Sequence, residues 1–425
     1  MDVYYLLSRL KRKVSQVFFG WWIVGASFII AIYTGGAIFY GFTAIFEPIA
    51  DEMGWGYAQV ALGASIRGLE TGLLSPLMGF LVDRWGPRRL IFSGGIIGCM
   101  GLLLLSRTTS LATFYGASVL IAVGTSCCDL TVLMTTVVRW FRHRAGIASG
   151  IAICGYALGG MLVPVITKLT DMYEWRMAMV IIAGGFLVVV LPLSFVFRKN
   201  PEKYGSAAVG TVEAPVKSDR LYNPPSTAQV DIGTRQALKS SSFWRIAVAY
   251  LCHVVLIATT ITHIMPYFSS IGIMRSRSSL IVTTLPLMSI GGRLGLGGLA
   301  DRFDKRWVSV TAFALMGLGM VFFAFSSTAN IWLLVPFIIL FGIGYGGSNV
   351  LRGPLGRAYF GMGSFGTIFG LTLGISRIGA VAGPPLAGWV YDKWGTYQGV
   401  WFVFIGLSLI AILSIATLPP SKKHG

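Results

Sequence analysis

Carboxylates are scarce in this chain: Asp and Glu together number 16 in 425 residues, and charged residues of both signs make up only 12%. Soluble domains carry about 25% charged residues, so a water-soluble globule is excluded and a polytopic membrane protein is expected. Cysteine is scarce too. The five present (Cys99, Cys127, Cys128, Cys154, Cys252) fall in apolar runs without disulfide or metal-ligand spacing, which leaves packing as their role. No glycine loop is followed by a lysine–serine pair, so nothing supports an ATP-driven pump. HExxH, GxSxG and Asp/His clusters are missing as well, which argues against an intramembrane enzyme, and no cofactor or metal is expected. The first apolar run is too long for the core of a signal peptide and lacks a small-residue cleavage site, so it is expected to stay as a transmembrane helix.

What the chain has in quantity is apolar surface: 55% hydrophobic residues, 54 glycines and a mean hydropathy of +0.73. Twelve apolar runs reach spanning length. They lie near 18–46, 55–82, 88–106, 110–138, 145–168 and 175–197, then 243–269, 277–300, 306–327, 330–356, 364–388 and 397–418. Between the two sets of six lies a stretch with Pro201, Pro215, Pro224 and Pro225, in which 11 of 45 residues are charged, so it cannot sit in lipid. The expected division is therefore a basic N-terminal segment (1–17), a first bundle (18–197), a linker (198–242), a second bundle (243–418) and a short tail (419–425). The net charge of +18 follows the same division: 24 of 34 Lys and Arg fall on the side of both termini, six on the other side and four inside helices. That is the positive-inside pattern, and it predicts cytoplasmic termini, a cell-membrane location and no nucleic-acid partner.

The two halves repeat each other. Asp83 and Asp301 are 218 residues apart, each with a glycine four before and an arginine one after. Gly150 and Gly370 are 220 apart, Pro164 and Pro384 also 220, and Phe141 and Phe360 219. An offset this steady marks an internal duplication. Four cations lie inside helices: Arg67, Arg293, Arg352 and Arg377, against the carboxylates Glu70 and Asp129. A cation in lipid is costly and by default marks a substrate or ion pathway, so Arg293, eight residues before Asp301 and on the order of 12 Å inside the membrane, is the leading site residue. Its planar paired donors match a carboxylate. Arg67 and Glu70 are three apart and share a helix face.

Two six-helix halves resemble the major facilitator superfamily, in which substrate sits near mid-membrane between the halves. The runs GFLVDRWGPRR and GGLADRFDKR resemble that superfamily's signature loop after helices two and eight, with Asp304 standing where glycine is the pattern. The resemblance implies that Asp83, Arg84, Arg88, Asp301 and Arg302 fasten the halves in one access state. More narrowly, Gly20-Trp21-Trp22-Ile23-Val24, Arg139-Trp140-Phe141 with Arg144-Ala145-Gly146, His263-Ile264-Met265-Pro266-Tyr267 and Gly292-Arg293-Leu294 resemble the bacterial monocarboxylate-transporter-like branch, although Ser289 replaces an aspartate of its animal members. On that resemblance Arg293 is the carboxylate ligand and His263 lies near the site. The oxalate–formate antiporter, similar in this respect, has cations in helices eight and eleven, which would make Arg377 a second ligand. Arg377 has a rival role in a bridge to Glu70, since helices two and eleven pack together in that fold. Asp129, on a cavity-lining helix, either carries a coupling proton or is a fixed counter-ion. Tyr40 and Asn349 fall on cavity-lining helices one and ten. The expected protein is an all-α carrier acting as a monomer on a small organic anion, with proton symport or exchange. A drug/proton antiporter and a transporter-like sensor are the alternatives.

Overall fold

The computed structural model describes residues 18–141, 145–198, 234–361 and 365–420, and among these the regular structure is entirely helical. Lipid offers no partner to a backbone N–H or C=O, so apolar segments of this length close their hydrogen bonds internally as helices. The first half holds α1 (Gly20–Met53), α2 (Tyr57–Trp85), α3 (Pro87–Ser106), α4 (Leu111–Trp140), α5 (145–173) and α6 (175–194). The second holds α7 (Ser241–Ser270), α8 (Arg275–Arg302), α9 (Lys305–Ala324), α10 (Ile331–Phe360), α11 (Phe365–Trp394) and α12 (Gln398–Ala416). Most of the linker lies outside the described residues; its end forms one short turn of helix, Thr234–Lys239.

Among the described residues, ten stretches are long and apolar enough to cross a membrane. One of them, Ile147–Ser194, is two spans folded over at Glu174, whose φ of 64° breaks the helix. Helix α2 is a further span, as the apolar run over 55–82 leads one to expect, although Arg67 and Glu70 lower its mean hydropathy. Helix α1 outruns its apolar core, since Glu47, Asp51 and Glu52 continue the helix to Gly54, where φ is 64°. Hydropathy ends with the lipid; hydrogen bonding does not.

The chain crosses back and forth, so the chain ends share one face with the α2–α3, α4–α5, α8–α9 and α10–α11 turns. The halves meet along α2 with α11, α5 with α8, and α1 with α7. Small residues set these seams: a Cβ on Gly160 would lie 2.3 Å from the Pro286 ring, and one on Gly388 would lie 2.6 Å from the Ala58 nitrogen. Within the first half, Gly155 and Gly159 let α5 approach α1, with added Cβ atoms 2.4 Å from the Phe28 carbonyl and 2.5 Å from the Gly36 nitrogen. Gly150, Gly291, Gly295 and Gly370 stand clear of such contacts; nothing lies within 4 Å of a Cβ there. In the second half the close pair is Gly292 and Gly346, which would meet the Ile343 and Ser289 carbonyls at 2.0 and 1.9 Å. That contact locks α8 against α10 in the turn just before Arg293.

On the face opposite the chain ends the halves are tied together. Arg275 donates from Nη1 to Glu47 Oε2 and from Nε to Asp171 Oδ1, both at 3.2 Å, and from Nη2 to the Ala44 carbonyl at 2.7 Å. Ser269 donates to Glu47 Oε2 at 2.8 Å. The Asp392 carboxylate accepts from the free N–H groups of Tyr57 and Ala58 at 2.8 and 2.9 Å, capping α2 from the other half. All of these ties lie on the face opposite the chain ends. The molecule is closed on one side.

Candidate functional site

Between the halves lies a cavity of about 620 Å³. Its wall carries Arg67, Arg293, Arg352 and Arg377, with Asp129 as its carboxylate among the described side chains. Both halves contribute, so the cavity changes shape whenever they rock against each other.

Arg293 comes from α8. Its Nε and Nη1 are buried and have no hydrogen-bond partner among the described residues. Such donors are desolvated without compensation, a state that an incoming acceptor relieves. Arg352 of α10 is 8% exposed, its guanidinium lies 4.2 Å over the Tyr250 ring, and its Nε also lacks a partner among the described residues. Stacking fixes the plane of that guanidinium and leaves its edge available. Arg377 of α11 lies within electrostatic reach of Asp129 and Arg352. Arg67 is committed to its own half: Nη1 donates to the Ile38 carbonyl at 2.9 Å and the guanidinium covers the Phe42 ring at 4.0 Å.

Asp129 does not sit in mid-helix. Helix α4 is interrupted between Ser126 and Leu130, and Asp129 holds an extended backbone (φ −77°, ψ 168°) ahead of the second segment. The peptide dipoles of that segment favour a negative charge there. The Glu70 side chain lies outside the described residues, and with it the Glu70–Arg377 bridge.

Asn349 lines the cavity and donates to the Tyr345 carbonyl at 3.0 Å. Tyr345 lines it too, one turn earlier on the same face of α10. Tyr40 stands one side chain back: it is 1% exposed and its hydroxyl meets that of Tyr345 at 3.3 Å, joining the halves. Tyr156 of α5 completes the polar wall beside Asp129, Arg67 and Arg377. Sequence reasoning missed Tyr156 and Tyr345. The four-residue step from Asn349 pointed to Tyr345; the neighbouring Gly155 and Gly159, which bring α5 close to α1, were the hint for Tyr156.

Of the two histidines of α7, His263, expected near the site, is not in the cavity wall, and His253 is. His263 is fully buried away from the cavity, with Nε2 bonded to the Pro384 carbonyl at 2.8 Å and Nδ1 to the Tyr397 hydroxyl at 2.9 Å. A carbonyl only accepts, so the ring proton is on Nε2 and the tyrosine donates to Nδ1. Neither nitrogen is left for a substrate in this conformation. His253 lines the cavity: its Nδ1 bonds to Ser348 Oγ at 3.2 Å, and its buried Nε2 has no partner among the described residues.

The signature-loop residues lie on the face of the chain ends. Asp83 forms an ion pair with Arg139 of its own half. Arg88 stacks over Phe195 at 4.5 Å. Asp301 and Arg302 form no ion pair among the described residues, and position 358, which corresponds to Arg139 in the repeat, is alanine. The loops are therefore not equivalent.

Two pseudo-symmetric helical bundles enclosing a polar chamber, closed on one face, are the architecture of a membrane carrier. The chain belongs to the Major Facilitator Superfamily, whose model matches residues 26–292 and 259–425. It is a multi-pass membrane transporter. It is 26% identical to monocarboxylate transporter 12 of Rattus norvegicus over 92% of this chain and 83% of that one. With monocarboxylate transporter 4 of Gallus gallus it shares 25% identity over 91% and 79%. Among solved structures it resembles the nucleoside transporter NupG, with a TM-score of 0.72 at 14% identity over 94% of this chain and 99% of that one. A bacterial homologue of the human lysosomal transporter Spinster gives 0.69 at 14% over 95% of each. These two likenesses concern the fold.

Proposed function

We propose that this transporter carries small organic anions, mono- or dicarboxylates, across the cytoplasmic membrane by alternating access, driven by proton symport or anion exchange. The observation that supports this most directly is Arg293, whose buried Nε and Nη1 have no partner among the described residues and face a chamber rich in arginine. An excess of positive charge in a confined polar space attracts anions. Carboxylate binding there neutralises part of that charge, which lowers the barrier to closing apolar walls around it. Occupancy and the switch between faces are coupled in that way. The names of the monocarboxylate relatives point to the same substrate class.

In this reading Arg293, Arg377 and Asn349 touch the substrate, Tyr40 supports that wall through Tyr345, and His263 reaches it only after the outer end of α7 rearranges. Asp129, with Glu70 and Arg67, carries either the coupling proton or the balancing charge. Asp83, Arg84, Arg88, Asp301 and Arg302 fasten the halves in the opposite state, closed toward the chain ends, which lie in the cytoplasm. The working unit is the monomer.

The test is uptake into proteoliposomes of a panel of labelled mono- and dicarboxylates, with and without a pH gradient. Accumulation that follows the gradient supports symport, and exchange for internal anion without a gradient supports antiport. Uptake of none of the panel overturns the proposal.

A further inference from the structure

The cavity is layered. Counted from the helix ends on the face of the chain termini, Arg352 is eight residues in and Arg293 nine, roughly 12–14 Å deep. Arg377 and His253, each twelve residues in, follow at about 18 Å. Beyond them the wall changes character. Ile257 and Ile261 on α7 are 16 and 20 residues in, about 24 and 30 Å deep, and they face Ile38, Phe39 and Phe42 of α1. The one cation of the described residues at that depth, Arg67, is stacked on Phe42 and bonded to the Ile38 carbonyl. Behind this layer the way is blocked by Phe46 against His263, ring centres 5.0 Å apart, and by the bond from the Met265 nitrogen to Thr43 Oγ1 at 3.2 Å. Apart from Arg67 and Thr262 the blind end is lined by apolar residues and glycine, and Arg293, Arg352 and Arg377 form a belt at its mouth.

We propose that the substrate is a monocarboxylate with an apolar aliphatic or aromatic body, its carboxylate on the Arg293–Arg352–Arg377 belt and its body in the blind end. This deepens the anion-carrier reading and rests on it. A cavity of about 620 Å³ has the volume of roughly twenty water molecules. A three-carbon acid leaves most of that volume to water lying against isoleucine and phenylalanine. A second carboxylate, as in a short dicarboxylate, would have to enter the apolar layer, where its desolvation goes unmatched because Arg67 is already engaged. An apolar body meets neither difficulty, and each buried methylene strengthens binding about fourfold.

The test measures Kd by titration calorimetry for acetate, butanoate, hexanoate, phenylacetate, succinate and phenylacetamide. It uses the purified full-length protein, with Arg293→Gln protein in the same detergent subtracting micelle uptake. Affinity is expected to rise about fourfold per methylene along the aliphatic series, with phenylacetate tighter than succinate. Ile257→Asn is expected to flatten the dependence on chain length, and Ile261→Thr does the same service if the first variant does not fold. A flat series, or succinate tighter than hexanoate, overturns this inference and leaves the anion carrier standing. Phenylacetamide binding as well as phenylacetate, or no carboxylate binding at all, overturns the anion reading with it.

Discussion

At the scale of single residues, the chamber wall holds arginine donors that are desolvated and without acceptors among the described residues. Arg293→Lys keeps the charge but replaces a planar fork by a point donor on a flexible stem. Each charge-assisted hydrogen bond lost contributes about 1.5–3 kcal/mol, so uptake at limiting substrate should fall at least tenfold. The variant should still insert and elute as the parent does; unchanged uptake would remove Arg293 from the site. Arg377 needs a paired comparison. If it touches substrate, Arg377→Gln changes the ranking of mono- against dicarboxylates in competition assays. An unchanged ranking in Arg377→Gln together with lost folding in Glu70→Gln would instead assign Arg377 to the bridge. Depth along a helix was legible in the sequence and facing was not. His253 and His263 lie ten residues apart, so at 100° per residue their side chains point about 80° apart around α7. One reaches the chamber and the other is buried between α7 and its neighbours α11 and α12.

At the scale of elements, glycine decides where helices touch. Gly291, Gly292 and Gly346 make a clean contrast on α8 and α10. A methyl group on Gly346 would meet the Ser289 carbonyl at 1.9 Å, backbone against side chain with nothing flexible to yield. Gly346→Ala should therefore cost about 1–3 kcal/mol and pull Arg293 out of register, lowering both melting temperature and substrate affinity. Gly291→Ala meets nothing within 4 Å and removes a flexible residue from a helix interior, so it should be neutral or stabilise by about 0.5–1 kcal/mol. Thermal unfolding of the two purified variants in one detergent checks the pair, and equal melting temperatures would refute the packing account. The spans themselves were readable from hydropathy, because a backbone in lipid has few alternatives. The break in α4 at Asp129 was not, since its cause is tertiary: an apolar run with no proline or glycine at the gap gives no local sign. A glycine in the sequence does not locate a contact, for a similar reason. It marks faces that are smooth without saying whether a neighbour lies against them.

At the scale of the molecule, the duplication readable in the sequence gives two matching halves, but the ties between them are asymmetric. Asp83 has its ion-pair partner in Arg139, while Asp301 has none among the described residues. The present closure depends on Arg275, which joins Glu47 of α1 to Asp171 of α5 across the seam. The Glu47 side chain is 10% exposed and that of Arg275 26%, so solvent screens the pair only in part. Removing the cation leaves a buried carboxylate with Ser269 as its remaining donor, an arrangement disfavoured by more than the pair itself contributes. Arg275→Ala should accordingly shift the equilibrium toward the state open on that face, on the order of tenfold in population, a difference of about 1.4 kcal/mol. Spin labels at Ser110→Cys and Thr328→Cys, one in each half and both on that face, report the change by double electron–electron resonance, with the native cysteines replaced. The longer-distance population should grow in Arg275→Ala and shrink again at low pH, where protonation of Glu47 removes the unpaired charge. A distribution identical to that of the parent would mean that α2–α11 and α5–α8 packing, rather than this ion network, holds the outer face shut.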